Sequence, residues 1–252
     1  MRKILSLELT NIPVHETSTL MFLTHLPTFT LLSWFYKINP ATILVSYSIT
    51  LISSALPFAL FRKHKSSNNQ KEQTPPILLD IPTTIYTTLC ATSVFALVLY
   101  TSYATFLPAQ LATHFINIPD ISVTHAGAAG WPTLFVTLLP AGWAARNFLF
   151  AAWARAAAAD GKADEDPVSK DGEYLVCVLH RKTWGTLARG TRVLVGRTFV
   201  MVAMMLVNTV VQVVGTVEGA KVEGAAIWGG IWAVAGLVVG GVFGWIGGGY
   251  AV

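Results

Sequence analysis

Residues 198–246 read TFVMVAMMLVNTVVQVVGTVEGAKVEGAAIWGGIWAVAGLVVGGVFGWI, and their three charged residues, Glu218, Lys221 and Glu223, all fall in one short connection. On either side lies an apolar run, 198–217 and 225–246. Each run is about the 20 residues that a helix needs to cross the hydrocarbon of a bilayer. A soluble helical hairpin would need a charged face to present to water, and neither run has one. The stretch therefore reads as two membrane spans joined by a tight turn.

The same alternation continues toward the N-terminus. Apolar runs at about 19–36, 41–61, 83–107 and 127–145 are separated by charged or turn-forming segments. The predicted fold is all-α, a polytopic integral membrane bundle of about six transmembrane helices. It divides into an N-terminal membrane region (1–145), a cytosolic and interfacial connection (146–197) and a C-terminal membrane hairpin (198–252). Over the 252 residues the hydrophobic fraction is 53% and the charged fraction 12%. That is about half the charge of a soluble domain, too little to cover a water-facing surface.

Local signals mark several boundaries. Lys37-Ile38-Asn39-Pro40 is a turn signal, and Asp80-Ile81-Pro82 predicts a helix start with a capping carboxylate. Arg2 and Lys3 resemble a signal n-region, but Glu8, Asn11, Pro13 and His15 interrupt the stretch after them. The first apolar run is expected to act as an uncleaved signal-anchor. Apolar residues continue past Arg146 to Trp153, so the fourth helix has no clear end. Leu175, Val178, Leu179 and Trp184, interleaved with basic residues, suggest a short helix lying on the headgroups.

Charge fixes the expected orientation. Six spans place fifteen of the seventeen Lys and Arg residues on one side and leave only Lys37 and Lys221 on the other. Basic residues stay cytosolic, so both termini are expected in the cytosol. The net charge of +4 then points to anionic headgroups rather than nucleic acid. Spans near the short end of the range favour the endoplasmic reticulum or another endomembrane over the plasma membrane.

Gly236, Gly240, Gly244 and Gly248 recur every fourth residue in the last span and line one ridge of a helix. Such a ridge admits close approach of another backbone, from the same bundle, a second copy or a membrane partner. Trp228 and Trp232 are expected at one interface, with Trp245 and Tyr250 at the other; Trp228 to Trp245 is about 26 Å along a helix.

Asn208 and Gln212 lie one turn apart near the middle of the fifth span, and His25 lies near the middle of the first. Hydrocarbon offers such groups no hydrogen bond, so they act as glue between helices or as a polar site for a solute. Thr84, Thr88, Thr92, Ala96 and Tyr100 form a packing ridge whose hydroxyls bond back to backbone carbonyls. Arg146, Arg181, Lys182, Arg189, Arg192 and Arg197 border the fourth and fifth spans and are expected to face headgroups.

The spacing of His114, Asp120 and His125 matches no metal motif, and Cys90 and Cys177 are not expected to pair. No nucleotide loop, zincin motif or nucleophile elbow occurs, so no cofactor, metal or catalytic residue is expected. The reading is a non-catalytic scaffold or accessory subunit packing through its glycine-ridged helix. The alternatives are a transporter of a small solute, ion or lipid, and a lipid-modifying enzyme.

Overall fold

In the computed structural model the described residues are 14–63, 75–116, 118–119, 121–125, 130–160 and 188–249. Arg181, Lys182, Asp120, Cys177, Tyr250 and the interfacial stretch at 175–187 lie outside them. The described residues form helices and contain no strand. In chain order they are α1 (Val14–Trp34), α2 (Pro40–Lys63), α3 (Pro76–Leu79), α4 (Ile81–Thr105), α5 (Leu107–His114), α6 (Gly130–Thr137), α7 (Leu139–Ala145), α8 (Ala151–Asp160), α9 (Arg189–Thr216) and α10 (Val222–Gly249). A π-helical turn, Arg146–Phe150, joins α7 to α8.

Proline and asparagine chemistry sets several breaks. Lys37 takes φ 49°, and Asn39 Oδ1 accepts the Ala41 N–H at 3.1 Å, so the chain reverses and enters α2 at Pro40. Asp80 precedes α4 in an extended conformation but caps no backbone N–H; its carboxylate instead accepts the Thr83 hydroxyl at 2.6 Å. Pro140 has no N–H to continue the ladder from α6, and the chain bends by 47° between Thr137 and Leu139.

The helices pack so that two ends can be told apart. At one end Glu16 of α1, Thr84 of α4 and Arg197 of α9 lie near the starts of their helices, around the π turn and the residues it joins. At the other, Phe35 at the close of α1 meets Tyr103 of α4 and Trp228 of α10. There Phe115 forms an isolated antiparallel bridge with Ala220, which ties α5 to the α9–α10 turn. Gly219 in that turn has φ +79°, a conformation that favours glycine.

The core is aromatic. Trp228, Trp232, Phe35, Phe95, Phe148, Phe150 and Phe243 are all fully buried. Trp228 and Trp232 therefore do not stand against lipid as the sequence suggested. They point inward and pack edge-on at 6.1 Å, while Trp245 is 82% exposed. The outward faces of α2, α9 and α10 carry Leu44, Ile49, Ile52, Phe199, Val207, Val211 and Leu237. Water would not tolerate so continuous an apolar exterior; lipid does.

Among the described residues, α4, α9 and α10 are long and apolar enough to cross a membrane. The bent pair of α6 with the helix from Leu139 to Ala158 makes a fourth if it counts as one span. In α1, His25, Pro27 and five threonines dilute the apolar run. In α2 the apolar part that can be assessed, Pro40–Ser54, is shorter.

Candidate functional site

Polar side chains gather in two places, and both lie where α1 meets α9. The first is midway along α1. His25, Asn208 and Gln212, far apart in sequence, come together there. Asn208 Nδ2 donates to the Thr24 carbonyl at 2.8 Å and lies 3.3 Å from His25 Nδ1. Gln212 Nε2 approaches the same ring nitrogen at 2.5 Å. The three side chains are half-buried and link α1 to α9, while Gln212 Oε1 is buried with no partner among the described residues. Nearby, Trp228 Nε1 donates to the Pro27 carbonyl at 2.8 Å and ties α10 into the same junction.

The second cluster is at the end of the bundle that holds the helix starts. Helix α1 begins five residues before the expected span and carries Glu16 into the protein, where its side chain is 2% exposed. Both Arg155 of α8 and Arg197 of α9 pair with that one carboxylate. Arg197 also donates to the Phe148 carbonyl at 3.3 Å and lies 5.5 Å from the centre of its ring. Sequence reasoning missed Glu16. The available signal was an acid three residues before the apolar run of a helix, where the N-terminal dipole favours it.

Arg146 lies on the other side of the π turn. It is 7% exposed, so its side chain is buried within the bundle rather than spread on the surface. Its Nη2 donates to Thr84 Oγ1 at 2.8 Å and its Nη1 to Asn147 Oδ1 at 2.9 Å. The physical reason is the π turn itself, whose extra residue rotates Arg146 and Asn147 toward α4. Arg189 and Arg192, in the first turn of α9, are exposed and half-buried respectively.

The glycine ridge faces α9. A Cβ on Gly236 would stand 3.0 Å from Met201 Cε, and on Gly240 2.5 Å from Thr198 Cγ2; on Gly244 it would be 3.6 Å from Leu194 Cδ2. Gly248 has open space. Three of the four glycines thus seat α10 against its own neighbour. Other close approaches were not singled out from sequence, among them Gly142 against Thr92, and Gly247 at 2.6 Å from Trp153 Cε2. The threonine ridge meets Gly142, and its hydroxyls bond backward, Thr88 to the Thr84 carbonyl and Thr92 to the Thr88 carbonyl at 2.7 and 2.8 Å.

His114 Nδ1 lies 3.5 Å from Glu223 Oε2, and His125 bonds within its own turn. Among the described residues no three His, Cys, Asp or Glu side chains gather as metal ligands would.

The family profile of the Bouquet formation protein 3 C-terminal domain matches residues 80–212, just over half of the chain. The chain belongs to that family. The matched region runs from the start of α4 through most of α9 and contains the π turn, Arg146, Arg155, Arg197, Asn208 and Gln212. Glu16, His25 and the glycines of α10 lie outside it, so each polar cluster joins a matched residue to an unmatched one. No curated protein and no solved structure was found to match the chain.

Proposed function

We propose that the chain is a non-catalytic membrane scaffold or accessory subunit that serves bouquet formation, in the nuclear envelope or another endomembrane. The observation that carries this reading is the family match over 80–212. The geometry agrees with it. The mid-bundle polar groups His25, Asn208 and Gln212 are tied to one another and to the Thr24 carbonyl across α1 and α9, as a structural seam requires. Neither a transporter nor an enzyme finds support in the family or the site.

The finer topology belongs to the same proposal: about six spans, with both termini on the basic, cytosolic side. The placement of Glu16, Arg146, Arg155 and Arg197 at one end of the bundle, with Lys37 and Lys221 beyond its other end, supports it. Contact with a partner or a second copy through α10 would use the face carrying Val234, Leu237, Gly241 and Trp245, because Gly236, Gly240 and Gly244 are occupied. The test is to delete the chain and score bouquet formation. Failure of the bouquet, restored by the wild-type chain, is expected; normal bouquets without it would overturn the reading.

A further inference from the structure

Arg146 carries a positive charge into the protein interior, and among the described residues it meets no counterion. It is 7% exposed, and among the described residues no carboxylate pairs with it. Two of its nitrogens meet neutral oxygens of Thr84 and Asn147, and its Nε is buried with no partner. A guanidinium does not shed its proton in a protein, so an unpaired one persists only where the surroundings supply negative charge.

Asn147 repeats the deficit one residue on. It is 7% exposed, and its Nδ2 is buried without a partner. Its amide cannot be turned over to mend this. Oδ1 already accepts from Arg146 Nη1, and a flip would set NH2 against a guanidinium that has no acceptor. Two adjacent residues therefore hold unmet donors and no unmet acceptor, and one of them is cationic.

Glu16 does not neutralise them. Its carboxylate is taken by Arg155 and Arg197, and no ion pair joins it to Arg146. Among the described residues, three guanidinium groups stand around the π turn against one carboxylate. A ligand that suits such a place is an acceptor with negative charge and several oxygens, and a phosphate matches the guanidinium fork. Depth points the same way. Thr84 lies three residues into α4, about 5 Å along its axis, which puts Arg146 near headgroup level on the basic side.

We propose that the π turn Arg146–Phe150 is a phosphate-binding site, with Arg146 and Asn147 as its donors, for the headgroup of an anionic phospholipid or for free phosphate. The site does not depend on the role in bouquet formation.

The test uses the full chain in nanodiscs of phosphatidylcholine, with and without phosphatidylserine, and with inorganic phosphate added to those without it. Thermal unfolding and lipid retained on purification are the readouts. Phosphatidylserine should raise the unfolding temperature and remain bound. Asn147→Ala should lower that retention by about tenfold, the loss of one hydrogen bond to a charged group, while Arg189→Gln leaves it unchanged. If inorganic phosphate gives the rise and phosphatidylserine does not, the source is free phosphate.

Arg146→Met supplies an opposite sign. With phosphate bound, the variant is less stable than wild type in phosphatidylserine. With nothing bound, removing a lone buried charge leaves it equally or more stable. Failure of both probes to stabilise wild type, or equal retention in Asn147→Ala, overturns the proposal.

Discussion

Glu16 and Arg197 stand 181 positions apart and meet as an ion pair where the first turn of α1 lies against α9. Arg155 joins them from α8, so one carboxylate holds three helices. A charge pair this well covered is costly to make and costlier to break, since removing one partner strands the others. Glu16→Gln is therefore expected to destabilise the bundle by about 3–5 kcal/mol. Chemical unfolding in detergent checks it, and Glu16→Gln combined with Arg197→Met should lose less than the two single changes added together.

Gly240 makes the closest approach to α9 of the glycines in the ridge, with Thr198 2.5 Å from where its Cβ would be. Thr198 is buried, and its hydroxyl is committed to the Leu194 carbonyl, so it has little room to give way. Gly240→Ala should cost about 1–3 kcal/mol through overpacking. Gly248→Ala, which meets open space, should stay within about 0.5 kcal/mol. Unfolding of the two variants side by side measures the difference. Equal effects would show that α10 does not seat on α9 through this ridge.

The glycines illustrate how far the sequence can be read. Their four-residue spacing announces close packing on one face of a helix, and that much comes from geometry. Which helix they meet does not, because a ridge of glycines fits any backbone. His25, Asn208 and Gln212 were legible as polar groups in apolar runs, since hydrocarbon leaves them unsatisfied. Their meeting was not, for it depends on how α1 and α9 cross. Arg146 was legible only as a basic residue after an apolar run. Its burial results from the bend at Pro140 and the π turn after it, and neither leaves a mark in periodicity. Trp228 and Trp232 were misread because aromatic residues suit both an interface and a core.

His25 and Gln212 should be coupled. A double-mutant cycle of His25→Ala and Gln212→Ala, with unfolding measured in bicelles, is expected to give about 0.6 kcal/mol and no more than about 1.7 kcal/mol. Asn208→Ala should cost a similar amount, since its amide also holds the Thr24 carbonyl.

Orientation can be read with single cysteines placed in a chain from which Cys90 and Cys177 have been removed. An impermeant thiol reagent added from the cytosolic side should label Asp80→Cys. It should not label Lys37→Cys or Lys221→Cys until the membrane is opened. Labelling of all three without permeabilisation would exclude the topology.

The central claim is that the chain serves bouquet formation as a scaffold, without moving or converting a solute through its polar seam. It is tested by asking whether a chain carrying His25→Phe, Asn208→Leu and Gln212→Leu restores bouquets in cells that lack the wild-type copy. At matched levels in the membrane, bouquets are predicted to form as they do with wild type. Loss of bouquets with the variant chain present at its normal level and place would contradict the account.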